Sequence, residues 1–122
     1  MFDKTKCEEK MQYFYPAFRI LIGVLFMYHG YMKFPMGATG IFLVAGIIEL
    51  IVGALLIVGF MSRYAAMLGA ANMVGAWFIA HVPNGWNPLT NGGEPALLFF
   101  AAFLAIVAYG SGSCSLKKWE PW

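Results

Sequence analysis

The stretch GIFLVAGIIELIVGALLIVGFM, residues 40–61, carries a single charge, Glu49, among residues that are otherwise apolar or glycine. No polar–apolar alternation runs through it, so it is not a half-buried strand. About 20 apolar residues in helical form cross the roughly 30 Å hydrocarbon core of a bilayer. Three more apolar blocks surround it, at 17–34, 64–82 and 95–110. The last is short, but Ala101, Ala102, Ala105 and Ala108 give it a small-residue surface for packing. The expected fold is therefore all-α: an antiparallel bundle of four transmembrane helices, with a segment 1–16 before it and a tail 111–122 after it.

Composition agrees. The chain is 61% hydrophobic and 11% charged, with a mean hydropathy of +0.69, against about 25% charged residues in soluble domains. A net charge of +2 without a basic stripe argues against nucleic acid. Pro35-Met36-Gly37 is expected to end the first helix, and Ser62-Arg63 to form a tight link between the second and third. The long break from Pro83 to Gly93 is turn chemistry, after which Glu94 and Pro95 suit a helix N-terminus. The first block follows a long segment of mixed charge and precedes no A-x-A-like site, so it reads as a membrane helix rather than a leader.

Lysine and arginine counts set an orientation. Four crossings place Lys4, Lys6, Lys10, Arg19, Arg63, Lys117 and Lys118 on one side and Lys33 on the other. By the positive-inside rule both termini are expected in the cytoplasm. Tyr13, Tyr15, Trp119 and Trp122 then form an inner aromatic belt, and Tyr31 and Trp86 an outer one. Cys7 and Cys114 have no partner at CxxC spacing and would face a reducing compartment, so both read as free thiols.

Ionisable groups within a membrane span mark function or pairing. Gly46, Glu49 and Gly53 share one helix face, which points the carboxylate into the bundle. Asn72 comes to nearly the same depth on the third helix, making a Glu49–Asn72 hydrogen bond the plain structural expectation. On the first helix, Arg19, Gly23, Phe26, Gly30 and Lys33 form a stripe with His29 at its margin; His81 ends the third. Lys33 is expected to snorkel outward, and Arg19 and Arg63 to sit at cytoplasmic helix ends as topology markers. The candidate catalytic set is Glu49, His29 and His81. Lys33, Phe26, Trp77, Trp86 and Glu94 are candidate substrate contacts, and Asn72, Arg19 and Arg63 are structural polar groups. Nothing reads as a metal, flavin or haem motif; the two histidines differ in depth by roughly 10 Å.

The run Arg19-Ile20-Leu21-Ile22-Gly23, then His29-Gly30-Tyr31-Met32-Lys33-Phe34, resembles the opening of the DoxX family of small four-helix membrane proteins. The likeness continues through Glu49, Gly53, Leu55-Leu56, Gly59, Arg63 and His81. It ends with Gly93-Glu94-Pro95-Ala96-Leu97-Leu98, Gly110-Ser111-Gly112 and Ser115-Leu116. In the family a closing serine-leucine is commonly followed by aspartate; here Lys117 follows. The resemblance implies a prokaryotic plasma-membrane protein associated with quinone-linked redox chemistry, such as archaeal thiosulfate:quinone oxidation, or with quinone and thiol stress systems. More distant relatives resemble membrane chaperones or cargo receptors.

Two functions follow as expectations. The first is a redox-associated subunit that binds a quinone or small substrate in the outer half of the bundle, its histidines hydrogen-bonding carbonyl oxygens and Glu49 handling the proton. With no electron carrier of its own, such a chain needs a redox partner. The second is a non-enzymatic scaffold using small-residue helix faces to hold a larger membrane complex, or a homo-oligomer.

Overall fold

The computed structural model describes residues 4–112, without the side chains of 4–8 and 11. The side chains of Lys4, Lys6 and Cys7, and the tail with Cys114, Lys117, Lys118, Trp119 and Trp122, lie outside the described residues. Every regular element among the described residues is a helix.

Helix α1 spans Lys4–Lys33, α2 Ile41–Val58, α3 Ser62–Ala76 and α4 Glu94–Tyr109. Two membrane-length apolar stretches stand out: α2, and the continuous run Ser62–Asn84 that begins as α3. Helix α4 is apolar but has 16 residues. Helix α1 has 30 residues and carries Arg19, His29 and Lys33 within its apolar part.

Helix α1 starts well before the expected position 17. It runs through Pro16, which forfeits one backbone N–H and the bond it would have made one turn back. The α2–α3 link is 59–61 rather than Ser62-Arg63, because Gly59 takes the left-handed conformation at φ 72°. Its N–H and that of Phe60 both reach the Leu55 carbonyl, at 2.9 and 3.1 Å, closing α2 a turn early.

The strongest packing joins α1 to α2, and α3 to α4. Glycines set the first pair. A Cβ on Gly23 would stand 2.8 Å from the Gly53 carbonyl oxygen, and one on Gly30 would stand 2.7 Å from that of Gly46. Two glycines seven residues apart on each antiparallel helix thus meet backbone to backbone. The face that sequence offered to a larger complex is filled here by the chain's own α1. In the second pair, the Phe103 ring lies over Gly69, where a Cβ would come within 2.8 Å. Phe26 and Phe103 cross edge to face at 4.8 Å and join the halves.

At the end where α2 turns into α3, polar side chains close on carbonyls. Arg19 is fully buried. Its Nε donates to the Leu56 carbonyl at 2.9 Å, one of the acceptors that a helix end leaves over, and its guanidinium also donates to the Ser111 carbonyl. Arg63 Nε donates to Val107 at 3.1 Å, near the end of α4, where a cation meets the negative pole of the helix. Ser111 and Ser62 hydroxyls bond at 2.9 Å. Tyr15 donates to the Gly110 carbonyl, and burial pushes its phenol up to about 12. Sequence expected Arg19 to mark topology at a helix end; it is instead a buried cross-link between three elements.

Candidate functional site

The opposite half of the bundle is open. A cavity of about 600 Å³ is lined from all four helices and from the turn before α4. Its floor is aromatic, with Phe26 fully buried and Phe99 centred 5.2 Å from it. Into this apolar space come Lys33 and His29 from α1, Glu49 from α2, Asn72 from α3, and His81 from the turn that follows.

Lys33 Nζ lies 2.7 Å from Glu49 Oε2; the carboxylate side chain is 4% exposed and the lysine 26%. The stem of Lys33 crosses Gly46, where an added Cβ would stand 3.2 Å from its Cδ. With no side chain at 46, the ammonium turns inward and reaches Glu49 less than a turn further along α2. Sequence had Lys33 snorkelling outward and Glu49 bonding Asn72. Close backbone approach of α1 and α2 changes both, since Lys33 comes within reach first.

Asn72 is left over. Its Nδ2 is buried and has no hydrogen-bond partner. An unmet buried donor costs about 1–3 kcal/mol, in a structure that meets its other buried side-chain polar atoms among the described residues.

His29 presents its ring edge-on to Phe99, centroids 5.4 Å apart at 85°. His81 Nδ1 lies 3.4 Å from the Asn91 carbonyl oxygen. A carbonyl only accepts, so in this contact Nδ1 is the donor. Asn91 itself is buried: its Nδ2 donates to the Gly85 carbonyl at 2.9 Å, and its Oδ1 accepts from Gly93 N–H at 2.7 Å. It pins the long turn against the cavity rim. Sequence reasoning passed over Asn91 as one turn residue among many; its place before a double glycine was the only signal.

His81 is presented by an unusual backbone. Residues Trp77–His81 form a single π-helical turn, and Val82–Asn84 a 3₁₀ turn. Such wide turns are rare and recur at functional sites.

Of the expected contacts, Phe26, His29, Lys33, Glu49, Asn72 and His81 share the cavity. Trp77 instead covers Gly93, where a Cβ would stand 2.7 Å from its ring, and its ring centroid lies 6.4 Å from that of His81. Trp86 is 68% exposed and meets Phe78 edge-on. Glu94 is exposed in the first turn of α4. These three do not line the cavity. Among the described residues, no three His, Cys, Asp or Glu side chains gather as a metal site.

The family model named DoxX matches residues 35–82, a span holding Glu49, Asn72 and His81. An uncharacterized protein of Haemophilus influenzae is 37% identical over 125 residues, covering 91% of this chain and 93% of that one. The chain belongs to the DoxX family. It is accordingly membrane-associated, and its apolar helices suit that setting. A second uncharacterized protein of Haemophilus influenzae is 32% identical over 68 residues, 56% of this DoxX chain and 45% of the relative. No solved structure matches this DoxX protein.

Proposed function

We propose that this DoxX protein is the quinone-binding subunit of a redox system in a prokaryotic plasma membrane. The observation that carries the reading is one apolar cavity of about 600 Å³ holding His29, Lys33, Glu49, Asn72 and His81. Ligand sites of that size typically combine apolar walls with a few convergent polar groups. A quinone head is flat, accepts hydrogen bonds at two carbonyl oxygens, and takes up protons when reduced. Lys33 and His29 supply donors, Phe99 an aromatic wall, and Glu49 and His81 side chains that can relay protons to the head as it is reduced. The electrons come from a partner subunit that carries a redox centre.

The same reading has all four helices crossing the bilayer, with both termini in the cytoplasm. Arg19 and Arg63 then belong to the cytoplasmic end and the cavity to the outer half, in keeping with the positive-inside rule. The scaffold alternative is weakened by the Gly46–Gly53 face, which α1 already covers.

The test is purification of the native protein in mild detergent, with the extracted quinone quantified by mass spectrometry. Stoichiometric quinone is expected in the wild type, falling at least about tenfold in His29→Ala and in Glu49→Gln. Equal quinone in all three proteins, or none in the wild type beside a partner without a redox centre, overturns the proposal in favour of the scaffold.

A further inference from the structure

The cavity walls are unequal. On α2, Ile41, Ala45 and Ile48 follow helical spacing along the cavity; on α3 Leu68, Asn72 and Gly75 do the same, and Ile79 follows in the π-helical turn. These stripes belong to the outer halves of adjacent antiparallel helices. The first buried residue of α2 is Gly46, and after Met73 no residue is buried until Asn91. Over these halves both helices face the cavity.

Gly75 stands on this wall and differs from the packing glycines. A Cβ on Gly53 would meet the Gly23 carbonyl oxygen at 2.7 Å, whereas a Cβ on Gly75 would meet nothing within 4 Å. Helix interiors disfavour glycine relative to alanine, and no close backbone approach requires it here. What Gly75 leaves is space. Three residues earlier, on the same face, stands the Asn72 amide whose Nδ2 has no partner. A vacancy and an unmet donor therefore lie side by side on the cavity wall.

We infer that Asn72 is a specificity-determining residue of the cavity, its amide holding an acceptor oxygen of a ligand whose apolar body fills the space beside Gly75 between α2 and α3. This rests on the quinone-binding reading and assigns one of the two carbonyl oxygens to Asn72. A site whose buried polar group is met only by the right ligand rejects analogues that lack the matching atom. The ligand is thus an amphiphile with an acceptor head and a hydrocarbon body. It approaches from within the lipid layer through the α2–α3 gap, whose walls carry exposed Ile41, Phe42, Leu68 and Ile79.

The experiment measures decylubiquinone affinity and melting temperature for the full-length protein in nanodiscs, alongside Asn72→Leu, Gly75→Ala and Gly75→Phe. Filling the vacancy with Gly75→Phe is expected to weaken binding more than tenfold, while Gly75→Ala stays within about twofold. Asn72→Leu is expected to weaken binding roughly 3–10-fold, as for one hydrogen bond, with a melting temperature equal to or above wild type because the unmet amide is gone. Wild-type affinity in both Asn72→Leu and Gly75→Phe overturns this inference and leaves the quinone-binding reading standing. A lower melting temperature with unchanged affinity in Asn72→Leu also overturns it, by making Asn72 a packing residue. No binding to the wild type overturns both.

Discussion

Where α2 turns into α3, Arg19, Arg63, Tyr15, Ser62 and Ser111 bond backbone carbonyls or one another. In the other half of the same bundle, Lys33 and Glu49 pair, yet they face a cavity beside an amide with no partner. Both regions hold costly polar groups in an apolar setting. One uses them to tie three elements shut, each group bonded within the fold. The other holds donors in surplus beside empty volume. Buried polar groups that satisfy one another specify a fold; those left facing a cavity are what a ligand meets.

That contrast is open to attack from both sides. The largest expected effect is at the closed end. Arg19→Leu removes the donor to the Leu56 and Ser111 carbonyls and should cost about 2–5 kcal/mol of stability, read as unfolding in detergent. Quinone affinity of the folded fraction should stay at the wild-type value. An affinity loss matching that of His29→Ala would erase the distinction between the ends.

At the open end, Glu49→Leu strands the Lys33 ammonium and should cost about 1–3 kcal/mol, below the figure for a fully buried pair because Lys33 keeps some exposure. The double variant Lys33→Met/Glu49→Leu should recover most of that stability, since replacing both ions leaves no charge unpaired. Quinone binding should remain lost in the double variant. Recovery of binding along with stability would show the ion pair to be packing alone.

The smallest effect is alkaline. Burial raises the Tyr15 phenol to about 12, so the folded state keeps a proton that the unfolded chain releases near its ordinary value of about 10. Its stabilising share is complete below about pH 10 and is lost as pH climbs towards 12. Melting temperatures taken across that window should fall less in Tyr15→Phe than in wild type, with quinone affinity unaltered. Equal slopes would remove Tyr15 from the closed end's polar set.

Much of this was legible in the residues. The apolar blocks gave four helices, and the 46–49–53 spacing put Glu49 inside. What stayed hidden were interactions set by distance between helices rather than by position along one. Lys33 reaches Glu49 only because Gly30 and Gly46 let two backbones close, which depth matching alone does not reveal. Arg19 looked like a helix-end cation because its acceptors, the Leu56 and Ser111 carbonyls, are backbone atoms of distant elements. The helical part of α1 before Pro16 was unreadable for another reason: its polar sequence has no apolar periodicity to announce a helix.

The π-helical turn at Trp77–His81 carries a consequence of phase. Along a regular α-helix one residue is about 100° of rotation, so positions 76 and 81 would stand about 140° apart. Closing the turn on i→i+5 bonds lowers the rotation per residue and brings position 81 round towards the side that 76 already occupies; Ala76 and His81 both line the cavity. The imidazole is thus placed by winding as much as by identity. Removing Phe78, which lies in that turn but not on the cavity, would rewind it and swing His81 away with every cavity side chain retained.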